Sequence, residues 1–217
     1  MEEFNRLLGL FGSDGLYKLK NSKVAIVGLG GVGGTVVTNL ARCGVGTLII
    51  CDFDKVEITN INRQIVARHS KIGKFKTDCL EEMLLDINPE VNVTKLTCKV
   101  DESLFNQDID IVIDCIDDVK SKIWLIRECF NRGIKVISSM GAGNKVDPTK
   151  VIKTKISKTT YDPIAKILRK EFKGYDFECV CSVEEAKKLE LVSSYVSVVN
   201  TFSNLLTDMA IKYIIGE

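Results

Sequence analysis

A glycine-rich turn and an acidic residue are spaced in this sequence as in sites that bind nucleotides. The segment GLGGVG (residues 28–33) fits the pattern GxGxxG and lies between an apolar run and a helical pattern. Gly30 would let the backbone approach a phosphate, while the start of the following helix offers free N–H groups. Asp52 ends the next apolar run, 19 residues after Gly33, where a carboxylate can bind ribose hydroxyls. These residues predict an adenine nucleotide site, but they do not distinguish NAD from ATP.

The stretch INRQIVARHSKIGKFK (residues 61–76) carries five basic residues and no acidic ones. Hydride transfer needs no such cations, whereas cleavage of ATP at its α-phosphate builds negative charge on the phosphoryl oxygens and on the leaving pyrophosphate. Arg63 can bind phosphate oxygens in a fork, and Lys76 can act as a point charge. Asn60 and Gln64 can add neutral hydrogen bonds. The charge pattern therefore favours ATP over NAD.

Asp117 lies in the acidic segment DCIDD (residues 114–118), directly after another apolar run. A carboxylate at this place could hold Mg²⁺ between the phosphates of a nucleotide. The predicted ATP site comprises Gly28, Gly30, Gly31, Gly33, Asp52, Asp54, Asn60, Arg63, Gln64, Lys76, Asp117 and Asp118.

Apolar runs and helical patterns alternate along the first two thirds of the chain, which predicts an α/β fold with a doubly wound, Rossmann-like, mostly parallel sheet. We expect a single domain, with a Rossmann-like ATP-binding part (22–142) and a C-terminal α+β extension (143–217) for substrate binding and dimerisation. The predicted strands are 23–30, 47–52, 92–98, 110–115, 134–140 and 151–157, and the predicted helices are 31–42, 74–87, 118–130 and 162–172.

The C-terminal part has a local excess of positive charge, although the net charge of the whole chain is only +1. Residues 145–173 hold nine basic and three acidic residues, a pattern that predicts either a face for RNA phosphates or an ordinary solvated face. Tyr161 is a candidate for stacking on a base, whereas Phe172 favours core packing. The apolar tail 191–215 carries polar residues at intervals, which is typical of a core or dimer-interface helix and not of a membrane span.

The chain has eight cysteines but no CxxC pair, which argues against a four-cysteine zinc site. Most of them fall at apolar positions of predicted strands and helices, so we expect buried, reduced thiols. The first residues, MEEFNRLLGLFGSDG, lack the basic and apolar regions of a signal peptide. We therefore expect a cytoplasmic protein.

Four motifs in this order, GLGGVG, DFDKVEITNINRQ, GKFKTD and DCIDD, resemble the adenylating enzymes related to ubiquitin-activating enzyme and to the molybdopterin- and thiamine-synthesis activators. Within that superfamily the chain is most similar to the tRNA threonylcarbamoyladenosine dehydratases. The segments INPEV, GAGNKVDPTKV, DPIAKILRK and CVCS carry this narrower resemblance. It extends from about Phe4 to Ser182 and is less clear in the tail.

The resemblance implies an ATP- and Mg²⁺-dependent cyclase that acts on threonylcarbamoyladenosine in tRNA. It assigns catalytic roles to Arg63, Lys76 and Asp117. Arg6, in FNRLLG, matches an arginine supplied to the partner subunit's site, which implies a homodimer. Cys179 matches a cysteine that accepts sulfur from a cysteine desulfurase system in some members, although an inert residue near the surface is the alternative.

Other functions stay open on the residues alone. An adenylating activator of a ubiquitin-like or sulfur-carrier protein would use the same ATP site, but the missing CxxC pairs count against it. An NAD(P)-dependent oxidoreductase would leave Arg63, Lys76 and Asp117 without a role. A non-catalytic nucleotide sensor is a further alternative.

Overall fold

The computed structural model describes residues 2–217, which form one seven-stranded sheet covered by helices. The strands are β1 (Lys23–Val27), β2 (Thr47–Cys51), β3 (Asn92–Leu96), β4 (Ile111–Asp114), β5 (Lys135–Ser139), β6 (Val151–Lys155) and β7 (Glu178–Ser182). The α-helices are α1 (Asn5–Asn21), α2 (Gly31–Arg42), α3 (Lys76–Ile87), α4 (Val119–Asn131), α5 (Pro163–Glu171) and α6 (Val196–Ile215). Short 3-10 helices span Glu2–Phe4, Ile58–Asn60, His69–Lys71, Glu102–Asn106, Pro148–Lys150 and Ile156–Lys158.

The sheet has the strand order β3-β2-β1-β4-β5-β7-β6. The pairings from β3 through to β7 are parallel, and β6 runs antiparallel to β7 at the edge. The predicted α/β fold with a doubly wound, mostly parallel sheet is therefore confirmed. Residues 143–217 add β6, β7 and α6 to the same sheet and core.

Strand β1 shows why both faces of the sheet are covered. Val24 and Ile26 pack into one apolar cluster, which also takes residues of α1, α2, α3 and α6. Ala25 and Val27 point to the other side, into a cluster shared with α4 and α5. Because neighbouring residues of a strand face opposite sides, burial on both sides requires a continuous apolar run such as VAIV.

The sequence did not predict two elements, strand β7 and helix α1. Strand β7 is only five residues long, and its sequence ECVCS has no clear alternation of apolar and polar residues. Val180 is its only β-branched or aromatic residue, so its local preference for a strand is weak. Helix α1 contains a break at Gly12, which has φ 65° and ψ 177°, and this break obscures the helical periodicity.

The apolar tail forms α6, which packs against α2. Val198, Phe202 and Met209 are buried in the larger cluster, whereas Tyr213 is exposed. Most of the inward face of α6 therefore lies in the core, as the core-helix alternative predicts. No helix among residues 2–217 is long and apolar enough to span a membrane.

Candidate active site

The carboxyl ends of the parallel strands border a cavity of about 540 Å³. Its walls come from the loops that follow β1, β2, β4 and β5. The chain order reverses at β1, which lies between β2 and β4, and ligands of open α/β sheets bind at such a reversal. Of the twelve predicted ATP-site residues, eleven line the cavity: Gly28, Gly30, Gly31, Asp52, Asp54, Asn60, Arg63, Gln64, Lys76, Asp117 and Asp118.

The twelfth residue, Gly33, does not line the cavity but packs closely against the backbone of Gly28. A Cβ atom at Gly33 would come within 1.9 Å of the Gly28 carbonyl oxygen. Gly28 has φ 87°, and a Cβ there would lie 2.7 Å from the Cys115 carbonyl oxygen. At Gly30, by contrast, the nearest atom to an added Cβ is 4.0 Å away, in the Gln64 side chain. Gly30 therefore presents open backbone to the cavity, as a phosphate cradle requires.

Asp52 ties the glycine-rich loop to the end of β2. Its Oδ2 accepts a hydrogen bond from the Leu29 N–H at 2.6 Å, and its Oδ1 accepts one from the Asp54 N–H at 2.7 Å. Burial raises the pKa of this carboxyl, and the positive charge of Lys76 opposes that rise. Asp52 thus shapes the loop, and its oxygens have further lone pairs for ribose hydroxyls.

Lys76 is the first residue of α3, and its ammonium group already has acidic partners. Its Nζ lies 2.7 Å from Asp54 Oδ2 and 3.8 Å from Asp52 Oδ2. Only 5% of the residue is exposed. Asp54 is the more exposed of the two acids, so a phosphate that enters the cavity can compete with it for the lysine. Lys76 is therefore buried at the cavity wall, because the two carboxylates hold it inward.

Arg63 lies in the segment between β2 and α3 and, together with Lys76, forms the basic wall of the cavity. The Arg63 guanidinium donates hydrogen bonds to the Thr59 carbonyl oxygen at 2.9 Å and to Asn62 Oδ1 at 3.0 Å. No acidic side chain in residues 2–217 forms an ion pair with it. Asn60 Oδ1 accepts a hydrogen bond from the Glu57 N–H, so this amide closes the turn that presents Arg63.

Gln64 carries an unsatisfied polar atom at the cavity. The residue is 7% exposed, and its Oε1 is the one buried side-chain oxygen or nitrogen without a hydrogen-bond partner in residues 2–217. A buried acceptor without a partner is costly. A ligand that donates a hydrogen bond here would remove that cost.

Asp117 and Asp118 follow β4 and have different surroundings. Asp118 caps α4, because its Oδ2 accepts hydrogen bonds from the Ser121 N–H at 2.9 Å and from Ser121 Oγ at 2.7 Å. Asp117 is exposed at the cavity, with no side-chain hydrogen bond or ion pair among residues 2–217. It is therefore the acid that remains available for a ligand or a metal ion.

A buried ion pair beneath this loop was not predicted. Lys122 Nζ lies 2.6 Å from Asp114 Oδ2, and both side chains are fully buried. Ser138 Oγ also donates to Asp114 Oδ2, and Asp114 Oδ1 accepts from the Ile116 N–H. The sequence contains a signal, because Lys122 occupies the apolar stripe of α4 that Leu125, Ile126 and Cys129 continue.

Residues after β5 and before α6 complete the cavity, and sequence reasoning missed them as well. Met140–Gly143 line one side, and Val192 and Ser194 line the rim. Asn144, with φ 59°, holds the rim segment in place by accepting from the Ser193 N–H at 2.7 Å. The only sequence signal was the glycine pair in GAGN, since the rim segment is far away along the chain.

Two predicted residues lie outside the cavity. Arg6 is exposed on α1 and does not line the cavity. Cys179 is fully buried in β7 between β5 and β6. Burial raises the pKa of its thiol, so the reactive thiolate is disfavoured. The expectation that Cys179 is near the surface was wrong, because the unpredicted strand β7 places it in the interior of the sheet.

Comparison with known proteins identifies the relatives of this site. The model of the ThiF family matches residues 4–217. The chain belongs to the ThiF family. Family membership agrees with the arrangement of the glycine-rich loop, the basic wall and the acidic loop around one cavity.

Individual ThiF-family relatives are similar over most of the chain. The tRNA threonylcarbamoyladenosine dehydratase of Bacillus subtilis is 46% identical over 173 residues, which cover 78% of this chain and 68% of the relative. The molybdopterin-synthase adenylyltransferase of Haemophilus influenzae is 36% identical over 160 residues, with 72% of this chain and 65% of the relative covered. Among solved structures, the Escherichia coli tRNA N6-threonylcarbamoyladenosine dehydratase in complex with ATP superimposes with a TM-score of 0.94. That match has 31% identity and covers 99% of this chain and 94% of the other.

Proposed function

We propose that this protein is an ATP-dependent dehydratase that cyclises N6-threonylcarbamoyladenosine in tRNA. The observation that carries this conclusion is the likeness, over 99% of this chain and 94% of the other, to a dehydratase solved with ATP. The cavity supplies what such an enzyme needs, namely a phosphate cradle, cations and a free carboxylate. ThiF-family membership supports the adenylating type of reaction.

ATP would lie along the cavity from the glycine-rich loop to the basic wall. Asp52 would bind the ribose, and Gly30 would lie under the phosphates. Lys76 would contact the phosphate oxygens as a point charge, and Arg63 would bind two of them in a fork. Gln64, whose Oε1 lacks a partner among the described residues, would face the same ligand.

Mg²⁺ would bind at Asp117 together with the phosphates of ATP. Residues 2–217 contain no cluster of three or more histidine, cysteine or acidic side chains that could hold a metal ion by themselves. Mg²⁺ usually takes one or two carboxylates plus substrate phosphates, and the exposed Asp117 fits that pattern. The ion would neutralise phosphate charge.

The reaction would proceed in two displacements. The threonyl carboxylate, already ionised at neutral pH, attacks the α-phosphorus of ATP, and the bond to pyrophosphate breaks. Arg63 and Lys76 stabilise the charge that develops on these oxygens, which is the main work of the site. The neighbouring carbamoyl nitrogen then attacks the activated carbonyl carbon, loses its proton and expels AMP. The nucleoside closes a ring and loses one water overall.

An adenylating activator of a ubiquitin-like or sulfur-carrier protein is the second candidate. The similarity to a molybdopterin-synthase adenylyltransferase favours it. Such an enzyme would activate the carboxyl terminus of a carrier protein at the same α-phosphate. An NAD(P)-dependent oxidoreductase is the least supported function, because it would leave Arg63, Lys76 and Asp117 without a role.

The active form would be a homodimer in which Arg6 of each subunit completes the other subunit's site. The exposed position of Arg6, away from its own cavity, supports this arrangement. Residues 143–217 would carry tRNA contacts and part of the dimer interface, and tRNA as substrate implies a cytoplasmic location. Transfer of sulfur from a cysteine desulfurase system to Cys179 stays a prediction from the sequence, and the burial of Cys179 counts against it.

Mass spectrometry of tRNA nucleosides tests the function directly. We expect that tRNA bearing threonylcarbamoyladenosine, incubated with the protein and Mg-ATP, yields a nucleoside that has lost one water. The exposed Asp117→Ala variant should give none while keeping its fold. If the nucleoside is unchanged although the protein binds ATP, the dehydratase function is wrong. ATP–pyrophosphate exchange that depends on a carrier protein would then support the second candidate.

A further inference from the structure

Helix α5 and the residue before its cap form an unexplained surface beside the cavity. Asp162 caps α5, because its Oδ1 accepts from the Ala165 N–H at 2.9 Å. Its Oδ2 accepts from the Gly141 N–H at 3.0 Å, and Gly141 lines the cavity. Ile164, in the first turn of α5, lines the cavity too. The start of α5 is therefore fixed to the cavity wall.

The structure leaves fewer free positive charges in the basic segment (residues 145–173) than its composition indicates. Lys145 is buried, with its Nζ 2.5 Å from the Gly141 carbonyl oxygen and 3.3 Å from Asp162 Oδ2. Lys153 is paired with Asp208. Arg169 donates to the Thr159 carbonyl oxygen and side chain. These three cations serve the fold and are not free to meet phosphates, so fewer than the nine basic residues of the segment are available to an RNA.

Of the six other basic residues, Lys150 pairs with Asp147 and Lys155 lies on β6, while the other four are exposed on α5 or beside its ends. Lys166 and Lys170 are one turn apart on α5, and Lys173 follows just after the helix end. Together with Lys158 they form the α5 lysine face. None of the four has an ion pair or side-chain hydrogen bond among residues 2–217. Like charges at positions i and i+4 destabilise a helix slightly.

None of the nearby acids forms an ion pair with these four lysines. Glu171 pairs with Arg127, and Glu178 pairs with Lys135. Asp176 accepts hydrogen bonds from the Ser157 N–H and hydroxyl. The α5 lysine face is therefore free to bind an anion supplied from outside.

Tyr161 lies in the chain between Lys158 and helix α5. It immediately precedes the capping residue Asp162, and 62% of it is exposed. Its φ of 57° is strained for a bulky side chain. Among the described residues it makes no ring contact and no side-chain hydrogen bond that would offset the strain. Such strain is often kept where a side chain contacts a ligand.

We propose that Tyr161 and the α5 lysine face form the docking surface for the tRNA substrate. Tyr161 stacks on an unpaired base next to the modified nucleoside, and Lys166 and Lys170 bind consecutive backbone phosphates. Single-stranded RNA is bound in this way, through aromatic stacking beside a line of positive charge. This inference rests on the proposed function, since it specifies how that substrate is held.

Binding of tRNA bearing threonylcarbamoyladenosine, measured by fluorescence anisotropy over a series of KCl concentrations, tests the lysine face. The Lys166→Gln/Lys170→Gln variant should weaken binding and reduce the slope of log affinity against log salt by about 1.4, since each lost single-strand phosphate contact accounts for about 0.7. The matched control is Arg42→Gln/Arg68→Gln, which removes two exposed charges that form no ion pair among the described residues and do not line the cavity. It should keep the wild-type slope. An α5 variant that behaves like this control overturns the inference.

Tyr161 allows a test in which stability and binding change in opposite directions. Tyr161→Gly relieves the strained φ, so its melting temperature should rise, while loss of stacking should weaken tRNA binding roughly 5- to 100-fold. Tyr161→Phe should bind tRNA like wild type. Stacking is contradicted if Tyr161→Phe also weakens tRNA binding. It is equally contradicted if Tyr161→Gly leaves tRNA binding unchanged.

Two further outcomes separate this inference from the function beneath it. If the wild type neither binds nor dehydrates tRNA, the proposed function fails. If the wild type is active, and Lys166→Gln/Lys170→Gln and Tyr161→Gly both bind tRNA as the wild type does, only the docking surface is wrong. Unchanged tRNA binding combined with lost binding to phosphatidylserine vesicles would assign the lysine face to an anionic membrane and overturn the RNA assignment.

Discussion

At the scale of single residues, the site separates side chains that are committed to the fold from side chains that are free for a ligand. Asp118 caps a helix, and Asp52 holds two backbone N–H groups. Lys76 is held by Asp54 and Asp52. Arg63 and Asp117, by contrast, have no ion-pair partner in residues 2–217. We expect Arg63 and Asp117 to meet ATP directly, and Lys76 to exchange the Asp54 carboxylate for a phosphate oxygen.

Arg63→Ala should lower turnover of modified tRNA by about 10²–10³-fold, because it removes a donor to the charge that develops on the phosphates. The melting temperature should change little, since the guanidinium contacts only its own turn. Nucleoside mass spectrometry and thermal unfolding measure the two effects. The matched control is Arg68→Ala, an exposed arginine of the same stretch that does not line the cavity. Equal turnover in both variants would exclude Arg63 from the site.

At the scale of elements, the acidic loop is held from below by α4. The pair Lys122–Asp114 joins the first turns of α4 to the end of β4, and Ser138 of β5 joins the same cluster. Both charges are fully buried, so each depends on the other for its stability. The pair thereby fixes the loop that presents Asp117 to the cavity.

Lys122→Met should lower the free energy of unfolding by about 3–5 kcal/mol, because it leaves the Asp114 carboxylate buried without a counter-charge. Urea unfolding measures this loss. Lys120→Met, an exposed position on the same helix, should change stability by less than about 0.5 kcal/mol. The double variant Asp114→Asn/Lys122→Met should recover part of the loss. A single variant as stable as the control would show that the pair does not hold the loop.

Element boundaries also show where local sequence is informative. The runs KVAIVGLG, TLIICD and DIVIDC predicted strands, because a strand buried on both faces needs a nearly continuous apolar run. In the structure these strands are shorter and cover KVAIV, TLIIC and IVID. The sequence ECVCS did not predict β7, since its burial depends on β5 and β6 as neighbours on each side. Local residues could not report those distant contacts.

At the scale of the whole molecule, α1 places Arg6 outside the cavity of its own chain. A homodimer that exchanges Arg6 between subunits would complete both sites. A twofold interface makes such an exchange reciprocal.

Co-expression of Arg6→Ala and Asp117→Ala subunits should restore activity, although each variant alone should be inactive. In a mixed dimer one site has both an intact Asp117 and an Arg6 from its partner, while the other site lacks both. Because one of its two sites is intact, a purified mixed dimer should give about half of wild-type turnover. Turnover of differently tagged, co-purified dimers measures this. No recovery in purified mixed dimers would show that Arg6 does not act across the interface.

The sequence by itself determined the strand–turn–helix order of residues 22–142, the glycine-rich loop and eleven of the residues that line the cavity. It could do so because steric limits on backbone near a phosphate, and burial of a strand on both faces, act within short segments. Tertiary structure alone decided which charges are free. Lys145 and Arg169 look like Lys166 and Lys170 in the sequence, but the first two are tied to Gly141 and Thr159. Burial and pairing arise from distant segments that meet only in the folded chain, and the same physical reason puts Cys179 in the interior.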